Sequence, residues 1–435
     1  MPFRSLRARV TALCAVAVVA TGLPLAAPAQ AADRATPGSF TGFAFDACQA
    51  PTQAEMNAWR TSSPYWGVGV YIGGSNRLCS QPDLDATWVR TQTNRGWRVL
   101  PIWVGPQAAC TGYDDVIDDR PGSSYAAARK QGRHQAWVAA RTARDLGIAR
   151  GSTLWYDMED FPLQESDDCR RSALSFLSAW TRRLHEIGFA SGVYANVASA
   201  IHALDYADTV SPRAYAEPDQ IWYAWHNDRA DTRIDEKWVR PDSWTPHRRI
   251  HQYTLDHTAG YGGVSLDIDS SFMDVGHGSV APADRRHCGV RVDFARYRRL
   301  TRGDRGAQVQ AAQCLLRQKG YDVTVTGRFT RPTYRATRAF QRSHALRVTG
   351  RMTSSTWTAL LSAGRGPVVK RGSVGDAVRR VQRALNAATD ARLTVTGVFD
   401  RATTRAVTRY QRGVDLPRTG VVAPDTWDAL RSGRV

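Results

Sequence analysis

The sequence contains little lysine and only one long apolar run. Of its 58 basic side chains, four are lysines and the rest are arginines. Beyond the run near the N-terminus, no apolar stretch reaches about 18 residues, the length that a membrane-spanning helix needs. The chain after that first run is therefore not expected to cross a membrane.

Cysteines are few, and their spacing does not indicate a metal site. Seven are present, one of them in the N-terminal apolar run, and the other six contain no C-x-x-C pair. A zinc site is not expected without such a pair. An even number of cysteines in an exported chain indicates disulfides instead. These six are Cys48, Cys79, Cys110, Cys169, Cys288 and Cys314.

Other cofactor and nucleophile motifs are also missing. No G-x-G-x-x-G follows the first candidate strand, at 41–47, which argues against a doubly wound dinucleotide-binding sheet. His247 and His251 are four residues apart but lack the glutamate of H-E-x-x-H. The acids at positions 114–119 lack the D-x-D-x-D-G spacing of a calcium loop. Cys288 beside His287 resembles a transpeptidase nucleophile only superficially, because Cys288 has a candidate disulfide partner. We expect no metal and no other cofactor.

The first 31 residues have the pattern of a secretory signal peptide. Three arginines precede an apolar run at 10–20, and residues 29–31 are Ala-Gln-Ala, a small-residue cleavage site. No two of these arginines are adjacent, which favours the general secretory route over the twin-arginine route. The pattern predicts a secreted protein.

Charge is divided unevenly along the chain. Residues 32–284 contain 24 Lys and Arg against 31 Asp and Glu, whereas residues 285–435 contain 31 against 9. A strongly basic module outside the cell fits peptidoglycan or an associated anionic wall polymer as its partner, and predicts a wall-associated protein. Nucleic acid is the generic alternative, and the predicted export argues against it.

Residues 153–160, T-L-W-Y-D-M-E-D, form a short apolar run that ends in two carboxylates. Asp157 and Glu159 are spaced i, i+2, which on a strand places both side chains on one face with Cα atoms about 6–7 Å apart. Two neighbouring carboxylates in a half-buried site hold an acid and an anion at the same pH. An isolated D-x-E also fits two solvated acids at a strand end, so the rest of the chain has to decide.

Apolar runs alternate with amphipathic helical stretches from residue 41 to about residue 273. Eight strand units in about 235 residues predict an α/β fold, a (β/α)8 TIM-like barrel. The candidate strands are 41–47, 66–72, 97–104, 153–159, 190–194, 220–225, 249–254 and 264–268.

Acidic residues recur where the candidate strands end, which is where such a barrel places its active site. Asp46 ends the first strand, Asp157 and Glu159 end the fourth, and Asp267 and Asp269 end the eighth. Because the first and eighth strands are neighbours in a closed barrel, we expect these carboxylates to converge on one rim. The other strand ends add candidate substrate-binding side chains: Tyr71, Trp103, Tyr194, Trp225 and Gln252.

The same layout pairs four of the cysteines. Cys48 and Cys79 follow the first and second strands, and Cys110 and Cys169 follow the third and fourth. We therefore predict bridges Cys48–Cys79 and Cys110–Cys169 between rim loops, each worth about 2–4 kcal/mol.

The basic C-terminal part contains an internal repeat. Residues 302–306, R-G-D-R-G, correspond to 371–375, R-G-S-V-G, and V-T-G followed by a phenylalanine recurs at an offset of 69 to 70 residues. Each copy predicts a small module of three short helices. We assign a barrel to 40–276, a linker to 277–297 and repeats to 298–363 and 367–433. Cys288 and Cys314 are expected to tie the segment before the first repeat to its first helix.

Both parts resemble known families. The repeat motif, G-x-x-G-x-x-V-x-x-x-Q-x-x-L followed by V-T-G-x-F and T-W-x-x-L, resembles the three-helix peptidoglycan-binding domain of wall hydrolases. The front domain, through G-F-A-F-D-A-C, W-Y-D-M-E and Y-G-G-V-S-L-D-I-D, resembles a glycoside-hydrolase-like family that is itself similar to family 25 lysozymes. The resemblance implies Glu159 as general acid and Asp157 as the group that stabilises a cation-like intermediate. It also implies that Asp46 and Asp267 shape a glycan site, and that the substrate's own N-acetyl group acts as nucleophile.

Two functions follow from this sequence. One is a secreted muramidase-type hydrolase of wall glycan, and the other is a barrel that binds wall glycan without cutting it. An open cleft containing Asp157 and Glu159 favours the hydrolase. An occluded cleft, or an arginine paired with Glu159, favours the binding protein.

Overall fold

The computed structural model describes residues 35–211, 213–285 and 287–435, so the predicted signal peptide lies outside the described residues. Eight strands close into a barrel in sequence order. They are β1 (Phe40–Asp46), β2 (Tyr65–Gly73), β3 (Arg98–Trp103), β4 (Thr153–Asp157), β5 (Ala190–Asn196), β6 (Gln220–Ala224), β7 (Arg248–Tyr261) and β8 (Val264–Val275).

Helices follow the first five strands and cover the outside of the barrel. These are α1 (Gln53–Ser62), α2 (Ala86–Asn94), α3 (Gly122–Asp145), α4 (Asp167–Glu186) and α5 (His202–Val210), the last preceded by a π-helical turn at Val197–Ile201. Each C-terminal repeat contains three helices, as predicted. They are α6 (Ala307–Gln318), α7 (Arg331–Ser343) and α8 (Ser354–Ser362), then α9 (Asp376–Ala388), α10 (Arg401–Gly413) and α11 (Pro424–Arg431). Among the helices of the described ranges, none is long and apolar enough to span a membrane.

The last strand departs from the predicted pattern. β1 to β7 pair in parallel, whereas β8 runs antiparallel to both β7 and β1. β7 and β8 are longer than predicted and form a hairpin through Gly262 and Gly263, which have φ of 62° and 79°. A Gly-Gly pair between two strands is a sequence signal of such a hairpin, because the turn requires positive φ at these positions. The barrel is therefore TIM-like, with one reversed strand.

The side chains of each strand alternate between the barrel interior and the layer beneath the helices. In the interior, the rings of Trp155 and Trp222 pack edge to face with centroids 5.8 Å apart. Gly192 on β5 is the register partner of Trp155 on β4. A Cβ atom at Gly192 would lie 2.3 Å from the indole ring of Trp155. The glycine therefore makes room for a tryptophan that fills the barrel below its mouth.

All three predicted disulfides are present, namely Cys48–Cys79, Cys110–Cys169 and Cys288–Cys314. The first joins the loops after β1 and β2 at the rim of the barrel, and the second joins the loop after β3 to the first turn of α4. The third joins the segment before the first repeat to α6.

One glutamine performs the same task in each repeat. Gln313 on α6 accepts a hydrogen bond from the Gly327 amide and donates one to the Arg328 carbonyl, both at 2.9 Å. Gln382 on α9 makes the equivalent bonds to Gly397 and Val398, at 2.9 and 3.0 Å. The repeated Gln of the motif is therefore a structural residue that fixes the loop after the first helix.

The second repeat packs against the end of the barrel opposite the mouth. Lys370 is 1% exposed, and its Nζ donates to the carbonyls of Arg60 and Ser63, both at 3.0 Å. Its ammonium lies 4.3 Å from the ring centroid of Trp66 and 5.0 Å from that of Trp97. Burial lowers the pKa of Lys370 well below its usual value. These contacts fix the repeat to the N-terminal ends of the strands.

Candidate active site at the barrel mouth

Two of the predicted acids lie side by side on β1 and β8. Asp46, the last residue of β1, is paired with Asp269 in the antiparallel register of β8. Asp46 is 3% exposed, and its Oδ2 accepts a hydrogen bond of 3.1 Å from the Tyr71 hydroxyl. Its Oδ1 is buried and has no partner among the described residues. Such an unsatisfied buried oxygen is unfavourable unless a ligand completes it.

A short chain of hydrogen bonds holds Asp269. The Tyr194 hydroxyl donates to Gln252 Oε1 at 2.8 Å, and Gln252 Nε2 donates to Asp269 Oδ2 at 3.0 Å. The backbone amide of Asp256 donates to the other oxygen at 2.7 Å. The amide of Gln252 is thereby oriented by two partners, and Asp269 has a fixed position.

Asp157 ends β4 and points into the same interior layer as Trp155. It is 4% exposed, and its Oδ1, like that of Asp46, is buried and has no partner within the described ranges. Burial raises the pKa of Asp157 well above its usual value, and the charges of Glu159 and Asp46 raise it further. The charge of Asp46 is among those that raise the pKa of Asp157, which is consistent with β4 and β1 bringing their carboxylates to one site.

Glu159 follows two residues after Asp157, beyond the end of the strand. Burial raises the pKa of Glu159, and the charges of Asp160 and Asp269 add to this shift. A carboxyl group with a raised pKa keeps its proton to higher pH, which suits a proton donor. No arginine or lysine forms an ion pair with Glu159 in the described part of the chain.

A buried glutamine that the sequence did not indicate connects these two acids. Gln107, in the loop after β3, is fully buried. Its Nε2 donates to the carbonyl of Asp157 at 2.9 Å, and its Oε1 accepts from the backbone amide of Glu159 at 2.8 Å. The Gln107 side chain thereby provides hydrogen-bond partners for the backbone where it leaves β4. The sequence carries no sign of this role, because a loop glutamine has no periodic pattern.

A cavity of about 130 Å³ opens beside the acids. The residues that line it include Asp157 and Glu159, together with Tyr71, Arg77 and Tyr113. The Cys48–Cys79 disulfide lies at its edge. Arg77 donates a long hydrogen bond of 3.4 Å to the Tyr71 carbonyl and does not pair with either acid. The site is open to a ligand and combines proton donors, carboxylates and an aromatic surface.

Asp46, Asp157, Glu159 and Asp269 form the carboxylate cluster at the barrel mouth. Three of the predicted cleft residues lie outside this cluster. Asp267 lies exposed on the β7–β8 hairpin and accepts a hydrogen bond of 2.5 Å from Thr258. Trp103 faces α3, where its Nε1 donates to Gln135 at 2.8 Å. Trp225 lies against the ring of His251 in the layer outside the barrel. Odd and even positions of a strand face opposite sides, and both tryptophans fall on the outward parity.

No group of three or more His, Cys, Asp or Glu side chains in the described ranges is arranged to hold a metal ion. The acids at the mouth are neighbours of tyrosines and an amide, a composition that suits hydrogen bonding to hydroxyl groups.

Comparisons with known proteins match two parts of the chain. Residues 57–273 match the family model described as an Rv2525c-like, glycoside hydrolase-like domain. Residues 305–360 and 374–430 each match the model of a peptidoglycan binding domain. No curated protein matches the chain.

Solved structures similar to this chain cover about half of it. An uncharacterized protein of B. stearothermophilus is 21% identical over 53% of this chain and 95% of its own, with a TM-score of 0.36. A family 25 glycosyl hydrolase of Bacillus anthracis is 14% identical over 55% and 91%, with a TM-score of 0.33. The modular autolysin LytC of Streptococcus pneumoniae is 10% identical over 53% and 46%, with a TM-score of 0.32. The family models identify the chain as a glycoside hydrolase-like barrel followed by two peptidoglycan-binding domains.

Proposed function

We propose that this protein is a secreted hydrolase of cell-wall glycan, of the muramidase type, with Glu159 as its proton donor. The observation that carries the proposal is the position of Glu159. It lies in an open cavity beside the buried Asp157, its pKa is raised by burial, and it has no cationic partner among the described residues. The two C-terminal domains would hold the barrel on peptidoglycan.

Export is part of the proposal. It is supported by the signal-peptide pattern of residues 1–31 and by three disulfides, which persist in oxidising compartments outside the cytosol.

The reaction would proceed in two steps. Glu159 gives its proton to the glycosidic oxygen while the bond from that oxygen to the anomeric carbon breaks. The N-acetyl oxygen of the same sugar attacks the anomeric carbon, and water then opens the resulting ring and returns a proton to Glu159. Positive charge on the sugar ring lowers the pKa of a nearby acid, so Asp157 would release its proton to water as this charge develops, and its carboxylate would stabilise the charge.

Reducing-end release from purified peptidoglycan tests the proposal. The mature protein should release reducing ends, and Glu159→Gln should lower the rate by about 10²–10⁴-fold while still sedimenting with the wall. Asp267→Asn is the matched control, because Asp267 lies exposed on the hairpin outside the cluster, and it should retain most of the rate. If neither the parent nor Glu159→Gln releases reducing ends, and both sediment, the barrel is a glycan-binding domain instead.

A further inference from the structure

A groove of about 900 Å³ lies on the flank of the barrel, between α3, α4 and α5. Five arginines line it: Arg129, Arg133, Arg170, Arg171 and Arg182. The barrel part of the chain is otherwise acidic, with 24 basic against 31 acidic residues in 32–284. A convergence of five guanidinium groups on an acidic domain therefore creates a local positive potential that composition alone does not predict.

Carboxylates neutralise part of this charge. Asp167 pairs with Arg170 and, at 4.0 Å, with Arg171. Glu186 also lines the groove, but its carboxylate pairs with Arg183 at 2.9 Å. Two of the five groove arginines thus have an acidic partner.

The other arginines are available to a ligand. Among the residues that the structure describes, Arg129 donates only to the carbonyls of Ser123 and Ser124. Arg133 and Arg182 are exposed and have no hydrogen bond or ion pair with any described residue. They extend from the adjacent helices α3 and α4, so they bring two unpaired guanidinium groups to the same groove.

Hydroxyl groups and an aromatic ring lie among the arginines of the groove. Along α4, Arg171, Ser175, Ser178 and Arg182 recur at spacings of four, three and four, which places them on one helix face. Opposite them, α5 contributes Tyr206, which is 54% exposed. Arginine forks bind phosphate oxygens in pairs, hydroxyls donate to the same oxygens, and an exposed ring packs on a sugar or polyol.

We propose that this flank groove binds the phosphodiester backbone of a linear polyol- or sugar-phosphate polymer of the cell wall. The site is separate from the carboxylate cluster, and the inference goes beyond the proposed hydrolase without depending on it. It also differs from the expectation that the basic repeats alone meet anionic wall polymers, because it gives the barrel an anion site of its own.

Hydrogen exchange on the full mature chain locates the ligand directly, even though the basic repeats also attract anions. The probes are a poly(glycerol phosphate) chain, single-stranded DNA with the same number of phosphates, a polyuronate with the same number of charges, and a neutral chitin oligosaccharide. We expect poly(glycerol phosphate) to slow exchange in 124–133 and 170–182, and chitin oligosaccharide to leave both segments unchanged. Protection confined to residues 298–435 would overturn the proposal. If DNA or polyuronate protects both segments as strongly as poly(glycerol phosphate) does, or more strongly, the assignment to a polyol- or sugar-phosphate polymer is overturned.

A charge-matched pair of double variants provides the second readout. R133Q/R182Q should weaken binding of poly(glycerol phosphate) to the groove segments roughly fivefold and lower the salt dependence, the slope of log K against log salt, by about 1–2. R90Q/R144Q removes the same charge from exposed positions outside the groove and should change neither quantity. Equal weakening by the two double variants would show a general charge effect and refute a built site.

Discussion

Asp46 and Asp269 face each other across the antiparallel ladder of β1 and β8, and both carboxylates lie inside the barrel mouth. Burial raises the pKa of Asp46 well above its usual value, and the charge of Asp269 raises it further. The unpartnered oxygens of Asp46 and Asp157 lie in the same cluster. The acids of the free site therefore repel one another. A cation-like sugar ring would relieve this repulsion, which would stabilise the transition state more than the ground state.

Replacing Asp157 with asparagine should stabilise the folded protein at neutral pH. Because the pKa of Asp157 is raised on folding, the folded state binds its proton more tightly than the unfolded state. The contribution of this group to the free energy of unfolding therefore falls as pH rises from about 4, the ordinary aspartate value, toward the raised pKa. Asparagine does not titrate, so thermal melts should show a higher Tm for the variant at pH 7 and no gain near pH 3.

The position of Asp267 supplies the control for that experiment. Asp267→Asn changes an exposed acid on the hairpin and should show no comparable gain at pH 7. A Tm difference for Asp157→Asn that stays constant from pH 3 to pH 7 would contradict the electrostatic explanation.

Asp160→Asn should move the alkaline limit of glycan hydrolysis to lower pH. After burial, the charge of Asp160 contributes most to the raised pKa of Glu159, so its removal lowers that pKa. A general acid must be protonated, and activity is lost as pH rises through its pKa. The measurement is the pH profile of reducing-end release, compared with the profile of Asp267→Asn. An unchanged alkaline limit in Asp160→Asn would exclude Glu159 as the titrating acid.

Gln107→Ala should reduce both stability and catalysis. The substitution leaves the Glu159 amide and the Asp157 carbonyl without a partner, at a cost of about 1–3 kcal/mol in the free energy of unfolding. Urea unfolding checks the stability, with Gln318→Ala, at an exposed position, as control. A positioning role further predicts a lower kcat with a nearly unchanged KM, whereas a purely structural role would leave the activity of the folded fraction intact.

The two hairpin glycines should differ in their tolerance of alanine. Both have positive φ, which costs an alanine about 1–2 kcal/mol. A Cβ atom at Gly263 meets no atom within 4 Å, whereas a Cβ atom at Gly262 would lie 2.8 Å from Ser62 Oγ and 3.1 Å from the Ala58 carbonyl. Gly262→Ala should therefore lower the free energy of unfolding more than Gly263→Ala. Equal losses would show that backbone strain alone decides the cost.

The sequence predicted the acids at the mouth because each lies where an apolar run stops. Asp46 and Asp157 are the last residues of β1 and β4, as expected. Asp269 was expected to end the eighth strand, but it lies within the longer antiparallel β8. It reaches the expected rim of the barrel through its register with Asp46.

Two of the predicted cleft residues lie outside the cluster for the same reason. Trp103 and Trp225 lie near strand ends, but a shift of one position along a strand turns a side chain to the opposite face. Strand ends inferred from composition are uncertain by more than one residue. They therefore do not determine whether an aromatic side chain at a strand end points into the barrel or out of it. Gln107 was missed for a different reason, since a buried loop residue has neither period nor motif.

The sequence by itself determined the barrel, the two helical repeats, the cysteine pairs and the acidic character of the rim. These properties follow from periodicity, internal repetition and strand order, which are local or pairwise patterns of the chain. Tertiary structure decided the direction of β8 and which strand side chains point into the barrel. It also decided the packing of Lys370 beneath the barrel and the arginine groove on its flank. Each of these depends on register and helix packing between segments far apart in sequence, where a difference of one residue changes which groups meet.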